Sequence, residues 1–525
     1  METVSDPREG LTTGQNAKYL RYWHEVAYSR IGRQAMTREN AKASGMKWFP
    51  YNKGGEHRRW FGNLLHVIDW SNDGAELQTR LHSSGRVWAH NFNLDYIFRP
   101  HITWTDIVSS GIATRYVPAG SLFDCSGQSA FFDSSSQQYV ALAFSNSRIA
   151  SMLVDVINPT LHFKSGDFRR LPYPATAATD LVASIAETAV EIAVQDWNSS
   201  EISWDFQALP IVGYKAETAE ESHGHAVQDC LDRFGRMKQL EEESNRIFID
   251  VYGLQDELSS EVPDDQITLY RPERGEDIKR LLSYAIGCMM GRYNLDKPGL
   301  IYAHSGNQGF DQDQYKTFRA DDDGIIPLLE TDWGIRDDAT NRLVEFITVA
   351  WPKEHLEENL KFIADSLGSN NGEQPRDTIR RYLATGFYKH HLSMYKKRPI
   401  YWMFSSGKQR AFQCLVYLHR YHDGTLARMR TEYVIPLQGQ IAARIEQLEG
   451  DKAKATSTSH RNKLQKEQTD LKKQEAELRT FEEKLKHAAD QKISLDLDDG
   501  VKVNYGKFGD LLAESKAITG GKEEE

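Results

Sequence analysis

Cysteine is scarce in this chain of 525 residues, and its spacing argues against two structural classes. The four cysteines, Cys125, Cys230, Cys288 and Cys414, lie far apart and form no Cys-x-x-Cys pair. Such spacing argues against a disulfide framework and against a structural zinc site. Unpaired cysteines suit a reducing compartment, so we expect the protein to be cytoplasmic.

Long apolar runs are missing as well. No stretch approaches the roughly 20 apolar residues that a membrane-spanning helix requires. The N-terminus carries Asp6, Arg8 and Glu9 in place of the apolar core of a signal peptide. We therefore expect no membrane partner. Hydrophobic residues make up 40% of the chain and charged residues 26%, proportions that are typical of a globular protein.

Clusters of metal ligands are also absent from the sequence. His223, His225, His390 and His391 have no cysteine or carboxylate at ligand spacing. A nuclease would need Asp, Glu and Lys side chains grouped around a divalent ion, and no such motif is found. We predict neither a metal site nor a catalytic residue on this chain.

The net charge of -11 conceals two basic windows. From Lys18 to Arg59 there are ten Lys or Arg against three Asp or Glu, and from Arg376 to Arg430 there are twelve against two. Acidic residues collect elsewhere, including Glu523 to Glu525. Segregated charge of this kind indicates basic faces on an acidic body, which would attract a polyanion. The alternative is that these cations form an ordinary solvated surface.

Residues 45 to 63 carry the most informative motif, because cations, rings and amides alternate within it. Cations hold phosphates, rings stack on bases and amides read base edges. Its members are the cations Lys47, Lys53, Arg58 and Arg59, the rings Trp48, Phe49, Tyr51 and Trp60, and the amides Asn52 and Asn63. The motif predicts nucleic-acid contacts. A β-hairpin broken by Gly54 and Gly55, with the rings in its core, is the alternative.

The second basic window contains a similar grouping. Lys396, Lys397 and Arg398 precede Tyr401 and Trp402. Adjacent cations beside aromatic residues suit a loop that grips phosphates. Two alternatives stay open, a solvated helix end before a buried strand and a contact with an acidic protein surface.

The sequence predicts an α+β protein with a mostly helical C-terminal part. We predict a mixed α/β target-recognition domain (1–174), spacer helices (175–252), a mostly helical domain (253–435), an antiparallel coiled-coil hairpin (436–492) and a tail (493–525). A strand is expected at 139–144 and helices at about 149–156, 176–197, 226–252 and 277–292. For 176–197, a plain core helix is an equally good interpretation. Seven-residue spacing of Leu464, Leu471, Leu478 and Leu485 favours the hairpin.

A series of motifs along the whole chain resembles one known family. The segments that carry the resemblance include Gly10 to Asn16, Ile102 to Thr105, Ser109-Ser110-Gly111, Asn158-Pro159-Thr160, Gly253 to Glu257, Ser283 to Cys288, Lys396 to Trp402 and Val501 to Tyr505. In this order they resemble the C-terminal half of PglX, the adenine-specific DNA methyltransferase family of BREX phage-defence systems. That family is related to type IIL restriction-modification enzymes.

The resemblance also shows what is missing. Enzymes of this kind grip a flipped-out adenine with an Asn-Pro-Pro-Tyr motif, whereas Asn158-Pro159-Thr160-Leu161 lacks the second proline and the ring. No Gly-rich turn for S-adenosylmethionine is found. The resemblance therefore implies that the cofactor is held by a methyltransferase half absent from this chain, and that the chain alone is inactive.

Double-stranded DNA and the methyltransferase half are the partners that we expect, with other BREX subunits or phage DNA-mimic inhibitors as further ones. Asn16 and Asn52 are candidates for reading adenine. The residues predicted to contact DNA are Asn16, Lys47, Trp48, Tyr51, Asn52, Lys53, Arg58, Arg59, Trp104, Lys164, Arg169, Lys396, Lys397, Arg398 and Lys408. A free-standing DNA-binding adaptor or a protein-interaction scaffold is the alternative function.

Overall fold

The computed structural model describes residues 1–107, 111–158, 160–177 and 179–520. Ser109, Ser110 and Pro159 of the sequence motifs, and the terminal Glu523 to Glu525, lie outside these ranges. The fold is mixed α/β, as predicted, with small sheets and many helices.

The strands of the described residues form three small sheets. Their bounds are β1 Asp6–Arg8, β2 Leu20–Tyr22, β3 Trp48–Asn52, β4 His66–Asp69, β5 His101–Thr105, β6 Arg115–Val117, β7 Leu122–Phe123, β8 Gly127–Phe131, β9 Ile325–Pro327, β10 Tyr401–Ser405 and β11 Gln413–Tyr417. The sheet orders are β2-β4-β3-β7, β1-β8-β5-β6 and β10-β11-β9. Antiparallel β3 and β4 flank residues 53–65, so the aromatic motif forms one strand and a long loop.

Helices dominate the remainder of the chain. Those before residue 260 are α1 Asn16–Tyr19, α2 Arg38–Ser44, α3 Ser71–Thr79, α4 Ser135–Ser145, α5 Arg148–Ile157, α6 Ser165–Arg170, α7 Asp180–Asn198, α8 Pro210–Gly213 and α9 Ala219–Tyr252. Those after it are α10 Arg274–Met289, α11 Ala339–Ala350, α12 Leu356–Leu367, α13 Pro375–Thr385, α14 Phe387–Met394, α15 Thr425–Arg428, α16 Ile435–Lys454, α17 Thr458–Asp490, α18 Gly500–Gly506 and α19 Ser515–Thr519. Helices at 149–156, 176–197, 226–252 and 277–292 were predicted and are confirmed, with shifted ends.

The strand predicted at 139–144 is wrong, since these residues lie within α4. Val140 to Ser145 are all buried, and the helix packs against α7. A short apolar run that is buried on every side has no amphipathic period, so its pattern does not distinguish a strand from a core helix.

One hydrophobic core joins the N-terminal sheets to α7 and α9. Trp104 of β5 and Phe144 of α4 belong to the same buried cluster as Ala186 of α7 and Phe248 of α9. Helix α7 is therefore a core helix, which was the alternative to a spacer. The predicted domain boundaries themselves stay predictions.

Helices α16 and α17 are separated by three residues and pack against each other. The leucines with seven-residue spacing, Leu464, Leu471, Leu478 and Leu485, are all buried. Their period thus marks the packed face of α17, as it does in helices that pair along a stripe. Farther along α17, Glu477 accepts hydrogen bonds from Ser406 Oγ and Gln409 N, at 2.7 Å each, which ties the pair to the turn between β10 and β11.

Within the described ranges, no single helix is both long and apolar enough to cross a bilayer. The pair α4 and α5, bent by 73°, has the length and composition of a span only when the two helices are taken together.

Candidate nucleic-acid interface

The loop after α14 presents two lysines in an uncommon backbone conformation. Lys396 and Lys397 have φ angles of 50° and 58°, in the left-handed region that residues other than glycine rarely adopt. Lys397 N donates to Leu392 O at 2.8 Å and Arg398 N to Tyr395 O at 2.8 Å, which fixes the turn. Strained backbone of this kind persists where surrounding contacts impose it, and it is concentrated at functional sites. Here it leaves both lysine side chains exposed.

This loop borders a cleft of about 410 Å³, which is also lined by residues from the first and last parts of the sequence. Three separate parts of the sequence contribute to it, namely the segment from Asn16 to His66, the loop of Lys396 and the segment from Asp499 to Ile518. The polar and aromatic residues that line it are Asn16, Arg21, Tyr22, Glu25, Lys53, His66, Lys396, Lys397, Arg398, Asp499 and Lys502. The two basic windows of the sequence therefore meet at one site.

Positive charge prevails in the cleft, where six Lys or Arg side chains face two carboxylates, Glu25 and Asp499. Glu25 is buried, and its carboxylate already accepts hydrogen bonds from Tyr22 N at 2.8 Å and Val501 N at 2.9 Å. Arg398 Nε lies 3.7 Å from Glu25 Oε1. Lys53, Lys397 and Lys502 form no ion pair with any described residue.

His66 and Tyr22 provide an aromatic wall. Their ring centroids lie 4.6 Å apart. Burial, assisted by the nearby charge of Lys53, lowers the pKa of His66 to about 3. The imidazole is therefore neutral at physiological pH, and it contributes a ring rather than a cation.

The aromatic residues predicted to contact DNA lie in the core of the protein. Trp48, Tyr51 and Trp104 are each at most 1% exposed. Trp48 Nε1 donates to Asp498 at 2.7 Å, and Trp104 Nε1 donates to Phe163 O at 2.8 Å. Rings held in this way are not accessible to bases unless the core opens.

Asn52 is also removed from the surface. It is 1% exposed, and its amide donates to Thr103 Oγ1 at 2.7 Å. Its role is to join β3 to β5. Of the two amides predicted to read adenine, only Asn16 lines the cleft.

Three cations of the aromatic motif are neutralised inside the protein. Arg58 pairs with Asp196 at 2.6 Å and Arg59 with Glu241 at 2.9 Å, and all four side chains are largely buried. Lys47 Nζ lies 3.0 Å from Asp498. These cations hold α7, α9 and the C-terminal segment against the N-terminal sheets, and the predicted phosphate contacts would require these ion pairs to open.

Asp498 is the anchor of that C-terminal segment. Burial opposes ionisation of its carboxyl group, but Trp48, Lys47 and Arg30 outweigh burial and lower its pKa below the usual value. Arg21 Nε also donates to the Asp498 backbone carbonyl at 3.0 Å. The carboxylate thus stays charged and fixes α18 beside the cleft.

Lys164, Arg169 and Lys408 are exposed but do not line the cleft. Arg169, on α6, lies 3.8 Å from Asp6. Lys408 lies in the turn between β10 and β11, beside α17. These three predicted contacts are therefore separate from the site.

Sequence reasoning missed Arg21, Tyr22, His66 and Lys502. Lys502 belongs to a motif that was noticed only for its resemblance, and its charge was overlooked. Arg21 lies in the first basic window, which does not distinguish it from the other cations there. Tyr22 and His66 show no local signal, since β2 and β4 are brought beside α18 by long-range contacts.

Two of the four histidines that were considered as metal ligands lie against carboxylates. His223 Nε2 lies 3.0 Å from Asp277, and His390 Nε2 lies 2.7 Å from Glu276. Over the ranges that the structure describes, no group of three or more His, Cys, Asp or Glu side chains could hold a metal ion.

No protein-family model matches the chain. Over 98% of its length it is 42% identical to the adenine-specific methyltransferase BrxX of Escherichia coli O9:H4 (strain HS), of which it covers 43%. Over 99% of its length it is 41% identical to the adenine-specific methyltransferase PglX of Lacticaseibacillus casei (strain Zhang), again covering 43%. The chain therefore spans less than half the length of these curated relatives. Along nearly all of its own length, it is a homologue of one part of BrxX and PglX adenine-specific methyltransferases.

Proposed function

We propose that this chain is the DNA-recognition and duplex-clamping half of a PglX-like BREX adenine-specific methyltransferase, and that it corresponds to the C-terminal half. The intact enzyme would transfer a methyl group from S-adenosylmethionine to adenine N6 and so mark host DNA. The cofactor would be bound by the other half. Identity of 41–42% to BrxX and PglX over nearly the whole chain supports the family part of this proposal.

The basic cleft is the main support for the DNA-binding part of this proposal. Six cations from three distant segments surround one site in a chain of net charge -11. Lys53, Lys397 and Lys502 lack ion-pair partners among the described residues, so their charge is available to a polyanion. Phosphate contacts position a protein on a duplex and supply most of its non-specific affinity.

Asn16 is the base reader that we retain. Its Oδ1 accepts a hydrogen bond from Thr13 Oγ1 at 2.6 Å, and this fixes the orientation of the amide at the cleft. The amide nitrogen can then donate to a base edge, and the rings of Tyr22 and His66 offer a stacking surface nearby. Discrimination between sequences should therefore depend on Asn16.

Further parts of the proposal rest on the resemblance and on sequence pattern. We propose that α16 and α17 form an antiparallel coiled coil, and that the protein acts in the cytoplasm. The methyltransferase half, other BREX subunits and phage DNA-mimic inhibitors are its proposed partners. An inhibitor of that kind would compete for the basic cleft, because it presents similarly spaced negative charge.

The test is a double substitution, Lys397→Gln with Lys502→Gln, in the full chain. Each lost phosphate contact should flatten the slope of log affinity against log salt by about 0.9, so the pair should flatten it by nearly two. Binding should weaken about equally on every duplex sequence. Lys215→Gln with Lys361→Gln is the matched control, since these exposed lysines lie outside the cleft and remove the same charge.

An unchanged slope would overturn the cleft as a DNA site. Loss of the complex with the methyltransferase half, with DNA binding intact, would show that the cations bind an acidic protein surface instead.

A further inference from the structure

The turn between α16 and α17 carries a concentration of positive charge that the cleft does not use. Between residues 452 and 466 there are five Lys or Arg and no Asp or Glu. The cations are Lys452, Lys454, Arg461, Lys463 and Lys466. Four consecutive exposed hydroxyl residues, Thr456 to Ser459, lie among them. We call residues 452–466 the tip.

The tip projects from the rest of the protein. Gln474 of α17 still contacts the body, because its amide donates to Gln409 O at 3.3 Å. Sixteen helical residues separate Gln474 from the start of α17, and at 1.5 Å per residue they extend about 24 Å. The hydrogen bonds described for the tip, such as Lys452 to Gln468 and Arg461 to Ala455 O, stay within the two helices.

Most of this charge is available. Lys454, Lys463 and Lys466 are exposed, and none of the three forms an ion pair within the described part of the chain. Lys452 is engaged, since its Nζ donates to Gln465 and Gln468 and lies 3.8 Å from Glu449. Three unpaired cations at the end of a rigid arm create a local positive potential.

The chemistry of the tip favours a polyanion over a protein surface. Protein interfaces depend on buried aromatic or large apolar anchors, and the tip contains no Trp, Tyr or Phe, while its one leucine, Leu464, is buried between the helices. Serine and threonine hydroxyls with lysine and arginine are the side chains that contact phosphates. A regular array of phosphates would satisfy both sets of donors.

We propose that the tip is a second contact with the DNA backbone, separate from the cleft and made by an arm that extends along the duplex. This inference rests on the proposed function, because it takes the same duplex as the ligand. At about 3.4 Å per base pair, a reach of about 24 Å corresponds to roughly seven base pairs beyond the body of the protein.

The test compares two duplexes, one that is just long enough for the body and one that is extended by about ten base pairs on each side. The tip variant is Lys454→Gln, Lys463→Gln and Lys466→Gln. The matched control is Lys215→Gln, Lys297→Gln and Lys361→Gln, which removes the same charge from exposed sites elsewhere. Circular dichroism and thermal melting establish that each variant is folded.

The wild-type chain should bind the long duplex with a steeper salt dependence than the short one. On the long duplex, the slope of log affinity against log salt should be flatter for the tip variant by up to about 2.7, at about 0.9 per lost contact. On the short duplex it should match the control. Hydroxyl-radical footprinting should show protection of the extension by the wild-type chain and not by the tip variant.

Two results would overturn the inference, and they differ from each other. If the tip variant matches the control on both duplexes while the Lys397 and Lys502 variant binds weakly, the tip is not a DNA contact and the cleft stands. If the wild-type chain binds neither duplex, the proposed function falls together with the tip.

Discussion

Lys396 and Glu56 meet at the cleft, with 2.5 Å between Nζ and Oε1, although 340 residues separate them. Both side chains are largely exposed, at 43% for Lys396 and 78% for Glu56. An exposed pair of this kind contributes little to stability. Its consequence is electrostatic, because Glu56 neutralises a cation that, under the proposed function, would face a phosphate.

Replacing Glu56 by Gln should therefore strengthen DNA binding. The release of Lys396 adds up to one phosphate contact, so the salt slope should steepen by as much as about 0.9. Fluorescence anisotropy across a salt series measures both quantities. Glu354→Gln, at an exposed site outside the cleft, is the control for net charge. If both variants behave alike, Lys396 does not face the duplex.

Asn52→Ala should lower stability and leave sequence preference unchanged. The substitution removes the buried donor that Thr103 Oγ1 accepts from at 2.7 Å, at a cost of about 1–3 kcal/mol, while that hydroxyl still donates to Gln128 O at 2.9 Å. Denaturant unfolding measures that cost. Adding Thr103→Val should recover only a small part of it, because the hydroxyl that lost its donor is then gone but Gln128 O loses a hydrogen bond in turn. A specific loss of affinity for one preferred duplex would restore Asn52 as a base reader.

Glu201 should make stability fall as pH rises. Its carboxyl group is buried, and burial raises its pKa to about 7 although Ser283, Arg292 and Tyr395 oppose the shift. The folded state then holds a proton that the unfolded state releases near pH 4.5, so stability declines between about pH 4.5 and pH 7. The decline should approach about 3 kcal/mol.

Glu201→Gln removes this titration. The variant should match the wild type near pH 4 and exceed it at pH 8, as measured by urea unfolding at each pH. Because Tyr395 donates to Glu201 at 3.4 Å and precedes the lysine loop, DNA affinity measured in parallel reports whether the loop follows the same titration. Parallel stability curves for both proteins would contradict the assignment.

The chain alone should not methylate DNA. It lacks a Gly-rich cofactor turn, and Asn158-Pro159-Thr160-Leu161 lacks the second proline and the ring needed to hold a flipped adenine. Incubation with labelled S-adenosylmethionine and duplex DNA should leave no label on the DNA. Adding a separately expressed methyltransferase half is the positive control. Label transfer by the pure chain would contradict this expectation.

Helix positions could be predicted where burial is one-sided. The leucine period of α17 and the apolar stripe of α5 appear directly in the sequence, whereas α4 is buried on every side and shows no period. Which cations are neutralised by carboxylates inside the protein could not be predicted in the same way. Arg58 is neutralised by Asp196, 138 residues away, and no local pattern records that pairing.

Only some residues of the candidate site could be predicted from the sequence, for similar reasons. Lys53, Lys396 and Lys397 were found because charge density is local information, and all three line the cleft. The burial of Trp48 and Asn52 could not be predicted, because a ring or amide suited to a base is equally suited to a core. Lys502 became recognisable only when α18 was seen beside β2.

The position of Asp498 constrains how the protein is made in the cell. Its contacts with Lys47 and Trp48 join residues about 450 positions apart, and they hold the segment that leads into α18 beside the cleft. At 5–20 residues per second, synthesis of the intervening chain takes roughly 20 to 90 s. During that interval the nascent N-terminal part carries an unfinished binding surface. A polypeptide released before residue 498 would lack it permanently, so translation has to pass this residue before the cleft can form.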